Sequence, residues 1–366
     1  MPYQQFDRFK LNVKNLSERP NKVQIENDFI PLDKAYDDYQ GIQKEIFDET
    51  VNRIKTAREN DKPVMLAFGA HSIKNGLGCV LQELISDGWV THLATNGAGV
   101  IHDWEFSYQG KSSEDVKANV DSGQFGIWEE TGYFINLAIV VGAFYGLGYG
   151  ESVGAMIFNE GLEIPSKDEL TKNINSNVSE STDKAAAGID LLQKINEFKI
   201  EPGFMKIPHP FKKYSAQAKA YELKIPFTAH PMFGHDIIYN HPMNMGAAIG
   251  RTAEKDFLAY ANKVHQLDGG VYLSVGSAVM SPMVFEKSLA MAQNIEIQNS
   301  RHIDNHYILV ADLAKSDWDW KKGEPPQTDP AYYLRYCKTF SRMGGTMNYL
   351  STDNGKLLTK IYQALS

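Results

Sequence analysis

Pro63-Val-Met-Leu-Ala-Phe-Gly-Ala-His-Ser-Ile-Lys-Asn-Gly76 is the stretch on which the fold turns. Val64 to Phe68 is an apolar run without alternation, the pattern of a strand buried on both faces of a parallel sheet. Gly69 ends it. Leu77, Val80, Leu81, Leu84 and Ile85 then fall on one face of a helix that reads from Ile73 to Asp87 and stops at Gly88. Trp89-Val-Thr-His-Leu-Ala-Thr95 is a second apolar strand, and Asn96-Gly-Ala-Gly99 turns into another helix. Strand, helix and strand in this order make a βαβ unit.

The same alternation continues along the chain. Upstream, Tyr39 to Asn60 carries Ile42, Ile46, Val51 and Ile54 near helical spacing. Downstream, strands read at Ile225 to His230, Val271 to Val275 and Tyr307 to Ala311, with helical patterns between them. The fold class expected is α/β, a Rossmann-like, mainly parallel sheet with helices on both faces. Phe134 to Tyr149 reads as a buried, Gly-packed core helix, Gly110 to Gly126 as a loop, and Glu160 to Thr182 as a solvated connection. Residues 1–38 form a polar and aromatic arm. Residues 39–366 form one domain with an insertion near 159–213, because no Pro/Gly/Ser-rich linker cuts the strand series.

Composition narrows the function. The 366 residues carry a formal charge of −8 with Lys and Arg dispersed, which argues against nucleic acid as a partner and suits a small cationic ligand. Cys79 and Cys337 are too few for a disulfide framework or a thiolate metal site. The first ten residues hold no apolar core of a secretory signal, and the most apolar stretch is shorter than the roughly 20 residues of a membrane span. A cytoplasmic protein without membrane contact is the expectation.

The two strand-to-helix turns, Gly69 to Gly76 and Asn96 to Gly99, are the first candidate site. Small residues at such turns let backbone N–H groups approach a pyrophosphate at a helix N-terminus. Neither is a full G-x-G-x-x-G, and glycine also serves plain tight turns. NAD bound at the carboxyl ends of the strands, touching both turns, is the reading taken here.

These residues resemble the deoxyhypusine synthases. Phe68 onward through Thr95-Asn-Gly-Ala-Gly-Val-Ile-His-Asp103 is similar to that family's strand, Ser-Ser-Gly helix, and Thr-Thr-Ala-Gly-Gly-Val-Glu-Glu-Asp segment. Lys224-Ile-Pro-Phe with Gly234-His-Asp236, Ser274-Val-Gly-Ser-Ala-Val279, and Pro330-Ala-Tyr-Tyr-Leu-Arg-Tyr-Cys-Lys338 resemble later family segments in the right order. The resemblance implies NAD-dependent oxidation of an amine to an imine, followed by transfer or rearrangement of an alkylamine group. It makes Lys338 the imine-forming lysine, Tyr336 a flat wall for the amine, and Asp236 the carboxylate for a substrate ammonium. It places His71, Asn96, Gly97 and Ala98 on the dinucleotide with Gly69, and adds Asp312, Ala314 and Asp353 on later strands. It also implies a homotetramer with sites near the dimer interface.

Departures from the family matter. Ile101-His102 stands where that family has Glu-Glu, and Met280-Ser281 where it has Lys-His, so spermidine held in the same way is disfavoured and the substrate reads as a polyamine or a basic amino acid. His102 is then a candidate general base. Asp103 closes the matched segment as a substrate ligand, although Asp103-Trp-Glu105 also suits a helix cap. Glu129, beside aromatics in Gln124-Phe-Gly-Ile-Trp-Glu-Glu-Thr131, is an amine ligand or a surface charge. Lys338, without the resemblance, is an ordinary solvated helix charge.

Two rival functions follow from other residues. His230, His235 and His241 lie close together in sequence and suggest a metal-dependent hydrolase, but their spacing lacks the H-x-x-x-H of a helical zinc site. A cofactor-binding regulator that binds NAD without turnover is the other. No residue is assigned as a metal ligand. Phe6, Phe9, Phe29 and Tyr36 in the arm have no period that buries them within their own segment, an independent hint of a homo-oligomer.

Overall fold

The computed structural model describes residues 2–366. Its centre is one six-stranded sheet of β1 (Val64–Phe68), β2 (His92–Thr95), β3 (Phe227–Ala229), β4 (Val271–Val275), β5 (Tyr307–Asp312) and β6 (Thr346–Ser351). Every neighbouring pair is parallel, and the order is β6-β5-β4-β1-β2-β3. Read from the other edge this is 3-2-1-4-5-6, the Rossmann order, in which two half-sheets wind away from a switch point between β1 and β4. Phe68 lies level with Val275 on one side and Thr95 on the other. The loops that begin at Gly69, Gly276 and Asn96 therefore leave the sheet at one height.

The alternation of side chains along β1 explains the two covering layers. Val64, Leu66 and Phe68 pack into one core with α1 (Gly41–Glu59), α3 (Gly78–Ser86), which follows the short α2 (Ala70–Lys74), and α4 (Gly97–Gln109). Also in this core are α5 (Glu129–Tyr145) and α6 (Tyr149–Asn159). Met65 and Ala67 pack into the other with α7 (Gly246–His265) and α8 (Met280–Gln298), and α9 (Asn354–Leu365) returns to the first. All five β1 residues are buried, and each larger side chain contributes ~1.5–3 kcal/mol on leaving water. A strand buried on both faces has to be apolar throughout, which is why it reads so clearly in sequence.

Elsewhere the chain is more ordered than its sequence suggests. The helix expected from Ile73 to Asp87 is broken into α2 and α3 at Gly76, whose φ of +83° suits glycine and whose Cβ would lie 2.3 Å from the Asp28 carbonyl oxygen. The expected loop at 110–126 holds a strand, Lys111–Glu114, and a helix, Val116–Asp121. The expected solvated connection at 160–182 holds strand Gly161–Ile164, which pairs antiparallel with Gly203–Lys206, and helix Lys167–Asn177. The β6 strand was not expected.

The arm folds back on its own chain. Asn21–Gln24 pairs antiparallel with Lys111–Glu114, Leu16, Ile25 and Ile30 are buried, and Phe29 packs on Tyr214. Phe29 thus has an intramolecular partner, Phe9 stacks on Phe198 while still largely exposed, and Tyr3 and Phe6 remain exposed. Among the described residues no single helix is long and apolar enough to cross a membrane; α5 and α6 together reach that length but meet at 108°.

Candidate functional site

Glycine contacts stitch the tops of the central strands together. Gly69 N–H donates to the Val275 carbonyl at 3.0 Å, and a Cβ on Gly69 would lie 2.0 Å from the Gly276 carbonyl oxygen. Gly276 has φ +57°, and its Cβ would lie 2.5 Å from the Asn354 amide nitrogen. That amide also donates to Ser72 Oγ at 3.3 Å. Two strand ends, α2 and the start of α9 therefore approach at distances only glycine allows. Ser277 Oγ accepts from Ser281 N–H and caps the first turn of α8. Ser281 is held from below, because Tyr260 donates to Tyr272 and Tyr272 passes its proton on to Ser281 Oγ, both at 2.7 Å.

A half-sheet of this type brings an acidic residue to the end of the strand after the glycine turn. After β1 that place is Asn96, whose side chain caps α4 by accepting from Gly99 N–H at 2.9 Å. After β4 it is Asp312, at the end of β5, whose carboxylate is engaged, among the described residues, by the N–H groups of Leu313 and Ala314 alone. His71 is exposed in the first turn of α2. Asp353 caps α9 through Lys356 N–H.

Beside this crevice, at the β2 and β3 end, lies a cavity of about 220 Å³ lined by Lys74, Ala98, His102, Glu105, Glu114 and Asp236, among others. Two sequence candidates, His102 and Asp236, thus meet. Asp236 rests on the first residue of α4, where a Cβ on Gly97 would lie 2.1 Å from its Oδ2. That oxygen is buried without a hydrogen-bond partner, and burial pushes the carboxyl up to about 7. Protonated and ionised forms coexist near neutrality.

His102 behaves differently from the sequence expectation. Burial first, with Lys74, Arg19 and His71 adding to it against Glu105, lowers its imidazole to about 4, so it is neutral at pH 7 and a weak base. Ser112 Oγ donates to Glu105 at 2.6 Å, so the 2.7 Å contact with His102 Nδ1 makes that nitrogen the donor. Nε2 then carries the lone pair.

The other acids are spent within the protein. Glu105 accepts both Arg19 Nη1 and Nη2 at 2.7 Å, with Ser112 and Thr131 Oγ1 in addition. Glu114 accepts from Trp128 Nε1, Asn119 and Gly126 N–H. Asp103 is no substrate ligand in this arrangement. It lies mid-helix in α4 and accepts from Ser215 Oγ, Ala216 N–H and Gln217, tying down the N-terminus of helix Ala216–Leu223. Glu129 is half-exposed and bonds His241 Nε2 at 3.2 Å.

Lys338 sits apart from this pocket. Its ammonium pairs with Glu324 at 2.8 Å and lies 3.3 Å from the Tyr332 ring centre. The Glu324 bond holds it above the usual lysine value, the opposite of what an imine-forming amine requires. Tyr336 is near it in sequence and approaches Tyr349 OH at 3.5 Å.

The histidines do not converge. His230 bonds Thr228 Oγ1 and stacks edge-on to Tyr260, His241 faces Glu129, and His235 alone lines the cavity. Among the described residues no group of three or more His, Cys, Asp or Glu side chains is placed to hold a metal. The hydrolase reading therefore finds no ligand set among the described residues, His230, His235 and His241 each having different surroundings. Lys74, Ser112 and Arg19 were missed in sequence. Arg19 pairs with Glu105 across 86 residues, and nothing local signals it.

No protein-family model matches the chain, and no curated protein matches it either. Solved structures with a similar course include unliganded AgrE, at 14% identity and a TM-score of 0.43, and the ternary complex of AgrE with ornithine and NAD+, at 14% and 0.44. Both alignments cover 91% of this chain and 34% of that one, so the chain spans about a third of AgrE's length. A conserved putative LOR/SDH protein from Methanococcus maripaludis S2 aligns at 10% identity and a TM-score of 0.43, over 95% of this chain and 75% of that one. Likeness at this level carries no argument about chemistry, and the deoxyhypusine synthase resemblance rests on the quoted residues alone.

Proposed function

We propose that this chain is an enzyme that binds NAD across the switch point between β1 and β4 and oxidises a small cationic amine, a polyamine or a basic amino acid, in the His102 and Asp236 pocket. The observation that carries the reading is the 3-2-1-4-5-6 sheet whose glycine-stitched switch point adjoins a cavity holding a buried, unpartnered carboxyl. A 220 Å³ cavity is below the ~300–1,000 Å³ of sites for drug-sized ligands, so it suits a metabolite beside the cofactor rather than the cofactor itself.

The residues fit the dinucleotide in one orientation. The turn at Gly276 and the N-terminus of α8, with Gly69 and His71 across the crevice, would hold the pyrophosphate, and Asp312 would hold the adenosine ribose. Gly97 and Ala98 would face the nicotinamide end, next to the pocket. NAD supplies the hydride acceptor. Asp236 takes the substrate ammonium on its carboxylate and accepts the proton that the ammonium gives up before hydride leaves. His102 offers Nε2 to a second N–H, held in place through Ser112 and Glu105. Lys338 has no part in this scheme.

Incubation with NAD and a panel of polyamines and basic amino acids, followed by reduced-nicotinamide absorbance and by mass spectrometry of the amine, tests it. Consumption of one amine with matching product supports the enzyme. NAD binding with every amine untouched would leave a cofactor-binding regulator instead.

A further inference from the structure

We infer that the pocket's ligand is a zwitterion, an α-amino acid, with Lys74 as the residue that selects its carboxylate. This rests on the reading of the cavity as the amine site and adds to it a choice between the two amine classes. The cavity walls carry two cations and three carboxyls besides the two histidines: Arg19, Lys74, Glu105, Glu114 and Asp236. Arg19 and Glu105 neutralise each other in a bidentate pair, both side chains 1–2% exposed. Glu114 is held by three donors of the protein itself, Asn119, Trp128 Nε1 and Gly126 N–H. What is left to meet a ligand is one carboxyl, Asp236, with its unpartnered oxygen, and one ammonium, Lys74, which forms no ion pair among the described residues. Both neighbours of the ligand are fixed by the fold. Lys74 ends α2 directly after the β1 turn, and Asp236 is seated on Gly97.

A polyamine presents cations only and would meet Lys74 as a like charge, at a cost. An amino acid satisfies both ends, its carboxylate on Lys74 and an ammonium on Asp236. Lys74 acts on the ligand by charge, so a neutral side chain of similar length removes the selection and leaves the remaining cavity intact.

The test uses two probes that differ by one carboxylate, L-ornithine and 1,4-diaminobutane, titrated calorimetrically into the full chain with NAD present. The unmodified protein is expected to bind ornithine at least tenfold more tightly than the diamine. Lys74→Met should remove most of that ratio by weakening ornithine binding, and Lys74→Arg should restore it. Circular dichroism confirms that both variants are folded. Equal binding of the two probes by the unmodified protein, or equal weakening of both by Lys74→Met, overturns the inference while leaving the amine site standing. Binding of neither probe overturns the inference and the amine reading together, and leaves NAD binding to be judged on its own titration.

Discussion

Replacing Arg19 by Met is the most informative single perturbation of the scaffold. Arg19 donates twice to Glu105 at 2.7 Å, with both side chains essentially out of water. Glu105 keeps only Ser112 and Thr131 as donors once the guanidinium is gone. Breaking a buried pair by removing one partner strands the other charge and costs ~3–5 kcal/mol. At a urea slope of ~3 kcal/mol/M this lowers the unfolding midpoint by ~1–2 M. The sign with pH follows from Glu105, whose carboxyl Arg19 holds below its ordinary value against the opposing effect of burial. That contribution to stability is present above the unfolded carboxyl value and is lost as pH falls through the folded one. In Arg19→Met the same burial raises the carboxyl, so the deficit should narrow as the pH falls towards the ordinary carboxyl value and Glu105 takes a proton. Arg19→Met/Glu105→Leu should recover most of the loss, because no charge is stranded. Urea unfolding followed by circular dichroism reads all three. A single variant within ~1 kcal/mol of the parent, or a double variant no better than the single, would refute the idea that the arm is a working part of the fold.

Amine affinity should rise between about pH 6 and about pH 8 as Asp236, pushed up to about 7, ionises; in Asp236→Asn the rise should vanish and binding weaken at the upper pH, as calorimetry at both values will show. Asp256 accepts N–H groups of Gly150 and Ala229 and is raised by burial to about 8. Its folded value exceeds its unfolded one, so the stability it contributes is full below the unfolded carboxyl value and is lost as pH rises towards 8, by at most ~1.4 kcal/mol per pH unit. Asp256→Asn should flatten that slope in urea unfolding, and an unchanged slope would contradict the assignment. Light scattering should give a multiple of 41.1 kDa if exposed Tyr3, Phe6 and Phe9 meet another copy, whereas a clean monomer would end the homotetramer expectation.

The fold was largely legible in the sequence because its central strands are buried on both faces. β1 is an unbroken apolar run, and β4 and β5 are nearly so, broken only by Ser274 and by Asp312 at the end of its strand. β6 escaped notice because Thr346-Met-Asn-Tyr-Leu-Ser351 carries Asn348, a buried amide satisfied by Glu49 and the Tyr307 hydroxyl rather than by an apolar layer. The ribbons at 111–114 and 161–164 pair with distant segments and contain too few apolar residues to stand out. The site divides in the same way. Gly69, Asn96 and Gly97 could be placed at strand-to-helix turns because turns are local. Asp103 was given the wrong partner because the helix it anchors begins 113 residues later, and Lys338 because its acid, Glu324, lies in an irregular excursion between β5 and β6. Lys74 carries no local signal, because its neighbours in the cavity come from distant parts of the chain.

Titration of NAD into the full chain, read by calorimetry beside Gly276→Ala and Asp312→Asn variants, is the most direct trial of the switch-point site. Saturable one-to-one binding by the parent is expected. It should be lost when the Gly276 turn, at φ +57° and pressed on Asn354, must admit a Cβ, and weakened about tenfold when Asp312 no longer holds a ribose. Folded parent protein that takes up no NAD at millimolar cofactor, or variants that bind it as the parent does, would contradict the proposed site.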